Sequence, residues 1–255
     1  MNPKVLQELT IGLQVKPAHI APKFFYDELG SKLFEAITLL DEFYPTRTEA
    51  HIMSRHLDEI SAAVGDCDAF VDLGAGNCAK ASALFESLQP KQYWALDISK
   101  TFLDAAIANL QKQFPQIAMV AQACDLSQAI QLPDIAAQKK IFFYPGSSIG
   151  NFDPKEAHLF LQGIAQLLNG SGGLLIGVDL VKNRDVLHRA YNDSLGITAA
   201  FNCNVLLHIN RLIGTNFFTP KIILSANSGL VFQSSGRITV KLSFSFNLSG
   251  SSSSC

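Results

Sequence analysis

The sequence predicts a doubly wound α/β fold, a parallel sheet covered by helices on both faces. Two observations predict it. From residue 68 onward, short apolar runs alternate with amphipathic helical stretches, and several of those runs end at an acid or a glycine-containing turn. Apolar runs of about four to eight residues separated by helices are what a sheet buried on both sides requires. The chain has 255 residues, of which 48% are hydrophobic. That is enough for one large core and a smaller subdomain, so a packed structure is expected rather than disorder.

The elements follow in order. Residues 22–64 read as helical: Met53, Leu57, Ile60 and Val64 recur at three- to four-residue spacing, Thr46 or Thr48 can cap that run beside Glu49, and the polar link DEFYPTRTE lies between the helices. The sheet region then gives AFVDLG, a helix over 78–88, YWALDI, a helix over 100–113 with Ser99 as N-cap, IAMVAQA, KKIFFYPG, a helix over 154–168 and GLLIGVDL. Asp153-Pro154-Lys155-Glu156 supplies cap, N1 proline and N3 glutamate for the helix over 154–168, and Asn169-Gly170 stops it. Helices over 184–193 and 197–213 follow, the second with Ala200, Val205, Ile209 and Leu212 as its buried stripe.

The formal net charge of −2 and pI near 6.3 provide no basic field for a phosphate backbone or an anionic membrane, so a small-molecule partner is expected. Five cysteines without a Cys-x-x-Cys pair argue against a zinc site or disulfide framework and for a reducing, cytoplasmic setting. The start, MNPKVLQELTIGLQ, has no apolar signal core, and no run of about 18 uncharged apolar residues occurs. A soluble, unprocessed protein, a monomer by default, is the expectation.

VDLGAGN, residues 71–77, carries the strongest chemical signal. An acid, then Gly74 and Gly76, then a helix stand at the carboxyl end of the first core strand, where doubly wound sheets bind ligands and glycines admit the ligand to the backbone. Asp97 ends the second strand 23 residues after Gly74, where a carboxylate accepts ribose hydroxyls. Gly74-x-Gly76-x-x-Ala79 also satisfies a loose nicotinamide-dinucleotide fingerprint. Asp72 shifts the reading toward S-adenosylmethionine, since an acid there suits a cationic sulfonium-bearing amino acid better than a pyrophosphate. Lys80 can meet the methionine carboxylate or be a solvated surface lysine. Asp125, after the third strand, can accept from the adenine amino group or cap the turn before Ser127.

Three further stretches carry a resemblance: KFFYDELGSKLFEAIT…DEFYPTRTE at 23–49, FFYPGSSIGNFDP at 142–154 and GVDLVKNRDVLHRAYNDSLGITAAFNCNVL at 177–206. Together they closely resemble the L-histidine Nα-methyltransferases of ergothioneine biosynthesis, over about residues 20–213. The resemblance implies a class I, Rossmann-like methyltransferase core with N-terminal helices and an incomplete second subdomain. It implies that Gly74, Lys80, Asp97, Asp125 and Leu126 line an S-adenosylmethionine site, with the amino acid substrate against Phe43, Asn151 and Tyr191, and that Tyr26 and Tyr191 serve the catalytic step. Read without it, Asn151 is a turn residue and Tyr191 a half-buried helix residue. The motif commonly has tyrosine where this chain has Phe43.

Four segments follow from this: a helical segment, 1–66, contributing to the substrate site; a cofactor-binding core, 67–182; substrate-side helices, 183–214; and an atypical tail, 215–255. The tail has no Asp or Glu and ends in SGSSSSC, and the family's Glu-x-Ser segment is not recognisable in it. A frame shift or replacement is the expectation there, with RITVKLSFSFNL able to form one strand outside the parallel sheet. The expected activity is N-methylation of the α-amino group of histidine or a related amino acid, up to three times; a cofactor-binding fragment without turnover and an NAD-dependent oxidoreductase are the other readings.

Overall fold

The computed structural model describes residues 3–16, 18–132 and 139–217, together with the backbone of 230–232 and 238–240. Its centre is a five-stranded sheet in the order β3-β2-β1-β4-β5, parallel at every pairing. The strands are β1 (Ala69–Leu73), β2 (Gln92–Asp97), β3 (Ala118–Ala123), β4 (Lys140–Tyr144) and β5 (Gly172–Ile176). The order reverses at β1, so the carboxyl ends of β1 and β4 flank the topological switch point.

Strand periodicity explains the two buried faces. Along β4, Ile141 and Phe143 enter one core with Phe70, Phe85, Tyr93 and Leu103, while Phe142 and Tyr144 enter the opposite core with Val71, Leu73, Leu96, Phe160 and Ile164. Helix α7 (Lys100–Gln113) covers the first face and α8 (Pro154–Leu168) the second. The capping box expected for α8 is present, with Asp153 accepting from Lys155 and Glu156 N–H and the Glu156 carboxylate accepting from Asp153 N–H.

Outside the sheet, a third cluster joins α1 (Pro3–Gln14), a 3-10 turn (Pro22–Phe25), α2 (Glu28–Thr38) and α10 (Ile197–Ile213). Phe24, Phe25, Phe43 and Phe201 lie in it with Leu9, Ile37, Val205 and Ile209. Asp27 fixes α2 against α10: its carboxylate accepts from Gly30 N–H at 2.8 Å, from Asn204 Nδ2 at 2.6 Å and from the Arg211 guanidinium.

Several boundaries differ from the sequence expectation, each for a local reason. Helix α1 lies ahead of the run read in detail from residue 22, within the 1–66 segment expected to be helical. The run expected over 22–64 is broken into the 3-10 turn, α2, α3 (Tyr44–Arg55) and α4 (Leu57–Val64), because Asp27 and Pro45 start new helices. Thr46 and Thr48 therefore lie inside α3, and Phe43 is its cap residue, without a side-chain cap bond. The helix over 78–88 is two single turns, α5 (Ala79–Ser82) and α6 (Phe85–Leu88), entered through Cys78 in the left-handed region. Ser99 stands at the cap of α7 but makes no side-chain cap bond; Asp97 accepts its N–H instead. Helix α9 (Arg184–Ala190) ends short of 193, where Asp193 turns to cap α10 by accepting from Ile197 and Thr198 N–H. In α10, Val205 and Ile209 are buried and Leu212 packs against them, but Ala200 is exposed. Two short strands, β6 (Leu230–Phe232) and β7 (Ile238–Val240), pair antiparallel in a sheet of their own. The rest of the 215–255 segment beyond Phe217 lies outside the described residues.

Candidate active site

The turn after β1 is built from hydrogen bonds that the loop makes to the sheet. Gly74 and Ala75 N–H both donate to Leu96 O, Gly76 N–H donates to Asp97 Oδ2 at 2.9 Å, Cys78 N–H to Ala75 O, and Ala79 N–H to Asn77 Oδ1. Gly74 and Gly76 sit at φ +75° and +54°, which L side chains rarely adopt, and a Cβ on Gly76 would meet nothing within 4 Å. The turn is thus open in front of Gly76 while its N–H groups are committed behind. A pyrophosphate needs a row of free donors at a helix N-terminus. Here Gly74, Ala75, Gly76, Cys78 and Ala79 N–H are already engaged and α5 is a single turn, an arrangement poorly suited to a pyrophosphate.

Two carboxylates flank this turn. Asp97, at the end of β2, spreads its oxygens over Gly76 and Ser99 N–H, and desolvation nonetheless holds its pKa above the usual carboxylate range. Asp72 is buried; its Oδ2 accepts from the Tyr93 hydroxyl at 2.8 Å, and its Oδ1 has no partner. Burial pushes the Asp72 carboxyl up to about 7, the Tyr93 bond opposing, the Asp97 charge adding and the Lys80 charge opposing. A group with a positive charge fits such surroundings and an anion does not.

Leu126 reaches over the turn, its Cδ1 3.9 Å from where a Gly74 Cβ would stand. Asp125, beside it, behaves as the turn-capping alternative foresaw: it accepts from Ser127 N–H at 3.0 Å and Ser127 Oγ at 2.6 Å, and its other oxygen is ion-paired to Lys23 at 2.7 Å. Burial works against its charge, but the Lys23 and Ser127 bonds outweigh it and hold its pKa low. Lys80 is no free surface lysine: its Nζ lies 2.6 Å from Glu49 Oε2 and next to Gly146. Glu49 Oε1 in turn accepts Gly146 N–H at 2.6 Å.

The candidate tyrosines lie in the aromatic cluster. Tyr26 is half-buried, ringed by Phe34 and Phe201 at 5.4 and 5.5 Å, and desolvation raises its pKa, with the Asp97 and Tyr191 charges adding. Tyr191, the residue closing α9, meets the Phe43 ring edge-on at 5.6 Å; desolvation and then Asp179 push its hydroxyl up to about 12. Phe43 itself is buried among these rings. Asn151 ends a 3-10 turn (Ser148–Asn151) after β4 and is exposed. The structure therefore brings Tyr26 within electrostatic reach of Asp97 and Tyr191, sets Phe43 against Tyr191, ties Lys80 to Glu49, and leaves Asn151 exposed.

Four residues here, Tyr44, Glu49, Asp179 and Lys182, were given no site role by the sequence. The Tyr44 hydroxyl donates to Asp179 Oδ2 at 2.5 Å, Lys182 pairs with Asp179 and stands 5.0 Å over the Tyr44 ring, and Glu49 bridges Lys80 to Gly146. Tyr44 and Glu49 were both in the polar link DEFYPTRTE. The signal was an aromatic pair before proline and a glutamate one helical turn beyond it.

A glycine turn at the switch point of a parallel sheet, flanked by Asp72 and Asp97, is the layout of an α/β protein with a ligand site at its strand ends. The chain belongs to the histidine-specific, SAM-dependent methyltransferase family, whose match covers residues 5–226. That match starts before residue 20 and runs past residue 213, wider at both ends than the motifs suggested. The histidine N-alpha-methyltransferase of Mycolicibacterium smegmatis is 37% identical over 216 residues, 83% of this chain and 66% of that protein. Its counterpart in Mycobacterium tuberculosis is 36% identical over 211 residues, 81% of this chain and 65% of that protein. The ergothioneine biosynthesis protein 1 of Neurospora crassa is 32% identical over 208 residues, 79% of this chain and 24% of that protein. The chain thus spans about two thirds of the length of the two mycobacterial relatives. Among the described residues, no helix is long and apolar enough to cross a membrane.

Proposed function

We propose that this chain transfers methyl groups from S-adenosylmethionine to the α-amino group of histidine or a closely related amino acid. Bound S-adenosylmethionine would supply an electrophilic methyl on a sulfonium. Asp97 is the candidate acceptor for the ribose hydroxyls, Asp125 and Leu126 for the adenine end, the Gly74 turn for close backbone approach, and Lys80 for the carboxylate of the amino-acid end. Asp125 reaches that role with one oxygen already on Lys23. The observation that carries the reading is the tyrosine pair: Tyr26 lies within electrostatic reach of both Asp97 and Tyr191, which brings cofactor and substrate candidates to one place.

Displacement at an amine needs alignment and a neutral nitrogen more than a strong base. With pKa values raised by desolvation, Tyr26 and Tyr191 stay protonated at neutral pH and act by hydrogen bonding, orienting the amine lone pair. Burial works against the Asp179 charge, but its bonds to Lys182 and Tyr44 hold its pKa low, so it stays a carboxylate whose charge helps keep the Tyr191 hydroxyl protonated. The apolar rings of Phe34, Phe43 and Phe201 exclude water around them. Scattered free cysteines support a reducing, cytoplasmic setting.

The test is mass spectrometry of histidine incubated with the chain and S-adenosylmethionine, read for one to three added methyl groups. Tyr191→Phe and Asn151→Ala should lower turnover about tenfold or more while leaving S-adenosylhomocysteine affinity within about twofold, since each removes one polar contact to the substrate. Binding without any methylated product would make the chain a cofactor-binding module and sink the catalytic reading.

A further inference from the structure

Glu49 is a carboxylate that the methyl-transfer chemistry leaves without a role, yet it joins four segments of the molecule. It projects from α3, its Oε2 taking the Lys80 ammonium of α5 and its Oε1 taking the Gly146 N–H after β4, both at 2.6 Å. The segment after β5 closes over it: a Cβ on Gly177 would lie 2.1 Å from Glu49 Oε1 and 3.3 Å from Gly146 N. The side chain is only 15% exposed, whereas Lys80 is 34% exposed.

We propose that Glu49 is a positioning residue for the cofactor site, fixing the Lys80 ammonium and the Gly146 turn in the geometry that receives the carboxylate of the cofactor's amino-acid end. This rests on the reading of Lys80 as that carboxylate's anchor. Two facing donors require two acceptor oxygens, which a carboxylate has and an amide lacks. An ammonium carries three donors, and Glu49 occupies one, so Lys80 keeps two for a ligand. A lysine stem left free would lose rotamer entropy on binding; one already held has less to lose. Because Glu49 and Tyr44 share α3, the same bonds set how deep that helix lies against the strand ends, where the Tyr44 hydroxyl meets Asp179.

The experiment compares two probes by titration calorimetry on the full chain: S-adenosylhomocysteine, which has the amino-acid end, and 5′-methylthioadenosine, which lacks it. Discrimination between them is a ratio measured on one preparation, so partial loss of folded protein cancels. Glu49→Gln should reduce that ratio by roughly tenfold, the scale of one charge-assisted bond, and Lys80→Met should reduce it at least as much. The double variant should match Lys80→Met alone. Should Glu49→Gln not fold, Glu49→Asp, which keeps the charge but falls short of both donors, should still lower the ratio by about threefold. An unchanged ratio in the Glu49 variants beside a loss in Lys80→Met would overturn the role of Glu49 and leave the Lys80 anchor standing. An unchanged ratio in Lys80→Met would overturn the anchor and this inference with it. Equal weakening of both probes would make Glu49 a purely structural link, and tighter S-adenosylhomocysteine binding in Glu49→Gln would make it a competitor for Lys80; either outcome overturns the proposal.

Discussion

The two sides of the site are made by different means. At the carboxyl ends of β1 and β2, polar groups from one stretch of chain do the work: Gly74, Gly76, Asp97 and Ser99 lie within one strand-helix-strand unit and are locked by hydrogen bonds to backbone N–H groups. Opposite, the wall is aromatic and assembled from distant parts of the chain, with Phe25, Tyr26, Phe34 and Phe43 from the first fifth and Tyr191 and Phe201 from beyond residue 190. Hydrogen-bonded turns are stiff and local, so they suit a cofactor that is the same for many reactions. A wall of packed rings changes shape with each substitution, so it suits the choice of substrate, but it depends on tertiary packing for its existence.

The largest expected effect attacks that dependence. Phe201 touches Phe25, Tyr26 and Phe34 at 5.4 to 5.9 Å between ring centroids and is 9% exposed. Phe201→Ala should cost about 3 kcal/mol of stability in urea unfolding, by lost burial and the cavity left behind. The folded fraction should still bind S-adenosylhomocysteine with nearly unchanged affinity. A matching collapse of affinity would mean that the two sides form one unit and that the contrast drawn above is wrong.

Next in size is the reciprocal change. Asp97→Ala removes the acceptor for Gly76 and Ser99 N–H and the candidate ribose acceptor together. Affinity for S-adenosylhomocysteine should fall by about 1.5–3 kcal/mol, the scale for hydrogen bonds to a charged group. Wild-type affinity in calorimetry would remove Asp97 from the site. The Tyr26 hydroxyl, relieved of a neighbouring negative charge, should titrate at lower pH, which ultraviolet absorbance can follow.

The same contrast decides what the sequence could reveal. VDLGAGN and the acid ending β2 were legible because strand, turn and glycine chemistry are local, and the α8 capping box was legible for the same reason. The Lys80–Glu49 and Tyr44–Asp179 contacts join residues 31 and 135 positions apart, and no periodicity encodes them. The break of the 78–88 helix was likewise hidden, since Cys78 enters it at φ 61°, a conformation set by the turn packing beneath β2 rather than by propensity. Phe43 could be named only through family resemblance, because its place depends on Phe34 and Tyr191 meeting it from two other helices.

A smaller effect separates the buried charge from the rest of the cofactor side. The Asp72 carboxyl, raised to about 7 by burial, binds a proton in the folded state that the unfolded chain releases near pH ~4. The folded state holds more protons between those values, so this group costs stability progressively as pH rises through that window, and the cost is complete above about pH 7. Asp72→Asn keeps an acceptor for Tyr93 and removes the charge. Stability at about pH 8 should rise by ~1–2 kcal/mol, and the difference between urea midpoints at about pH 5 and pH 8 should shrink. A variant as pH-sensitive as the wild type would place the titration elsewhere.

The smallest effect tests where the two sides touch. Lys23, in the turn before Tyr26, pairs with Asp125 at 2.7 Å and with Glu8 of α1 at 2.8 Å, tying the aromatic segment to the end of β3. Its side chain is 15% exposed and that of Asp125 27%, so solvent screens the pair only in part. Lys23→Met keeps most of the stem and removes the charge, leaving Asp125 with Ser127 alone. The loss should be about 0.5–1 kcal/mol of stability at neutral pH, shrinking with added salt. The Asp125 pKa, now held low by Lys23 and Ser127 against its burial, should rise toward the ordinary carboxylate value. The stabilisation from this depressed group is present above the unfolded carboxylate pKa and lost as pH falls through the folded one, so variant and wild type should converge in acid. If the adenine end of the cofactor lies beside Asp125, binding S-adenosylhomocysteine should also change in Lys23→Met, because the carboxylate it meets has lost its counter-ion. A variant that changes stability but leaves affinity and its pH dependence untouched would confine Lys23 to the fold and move the adenine contact away from Asp125.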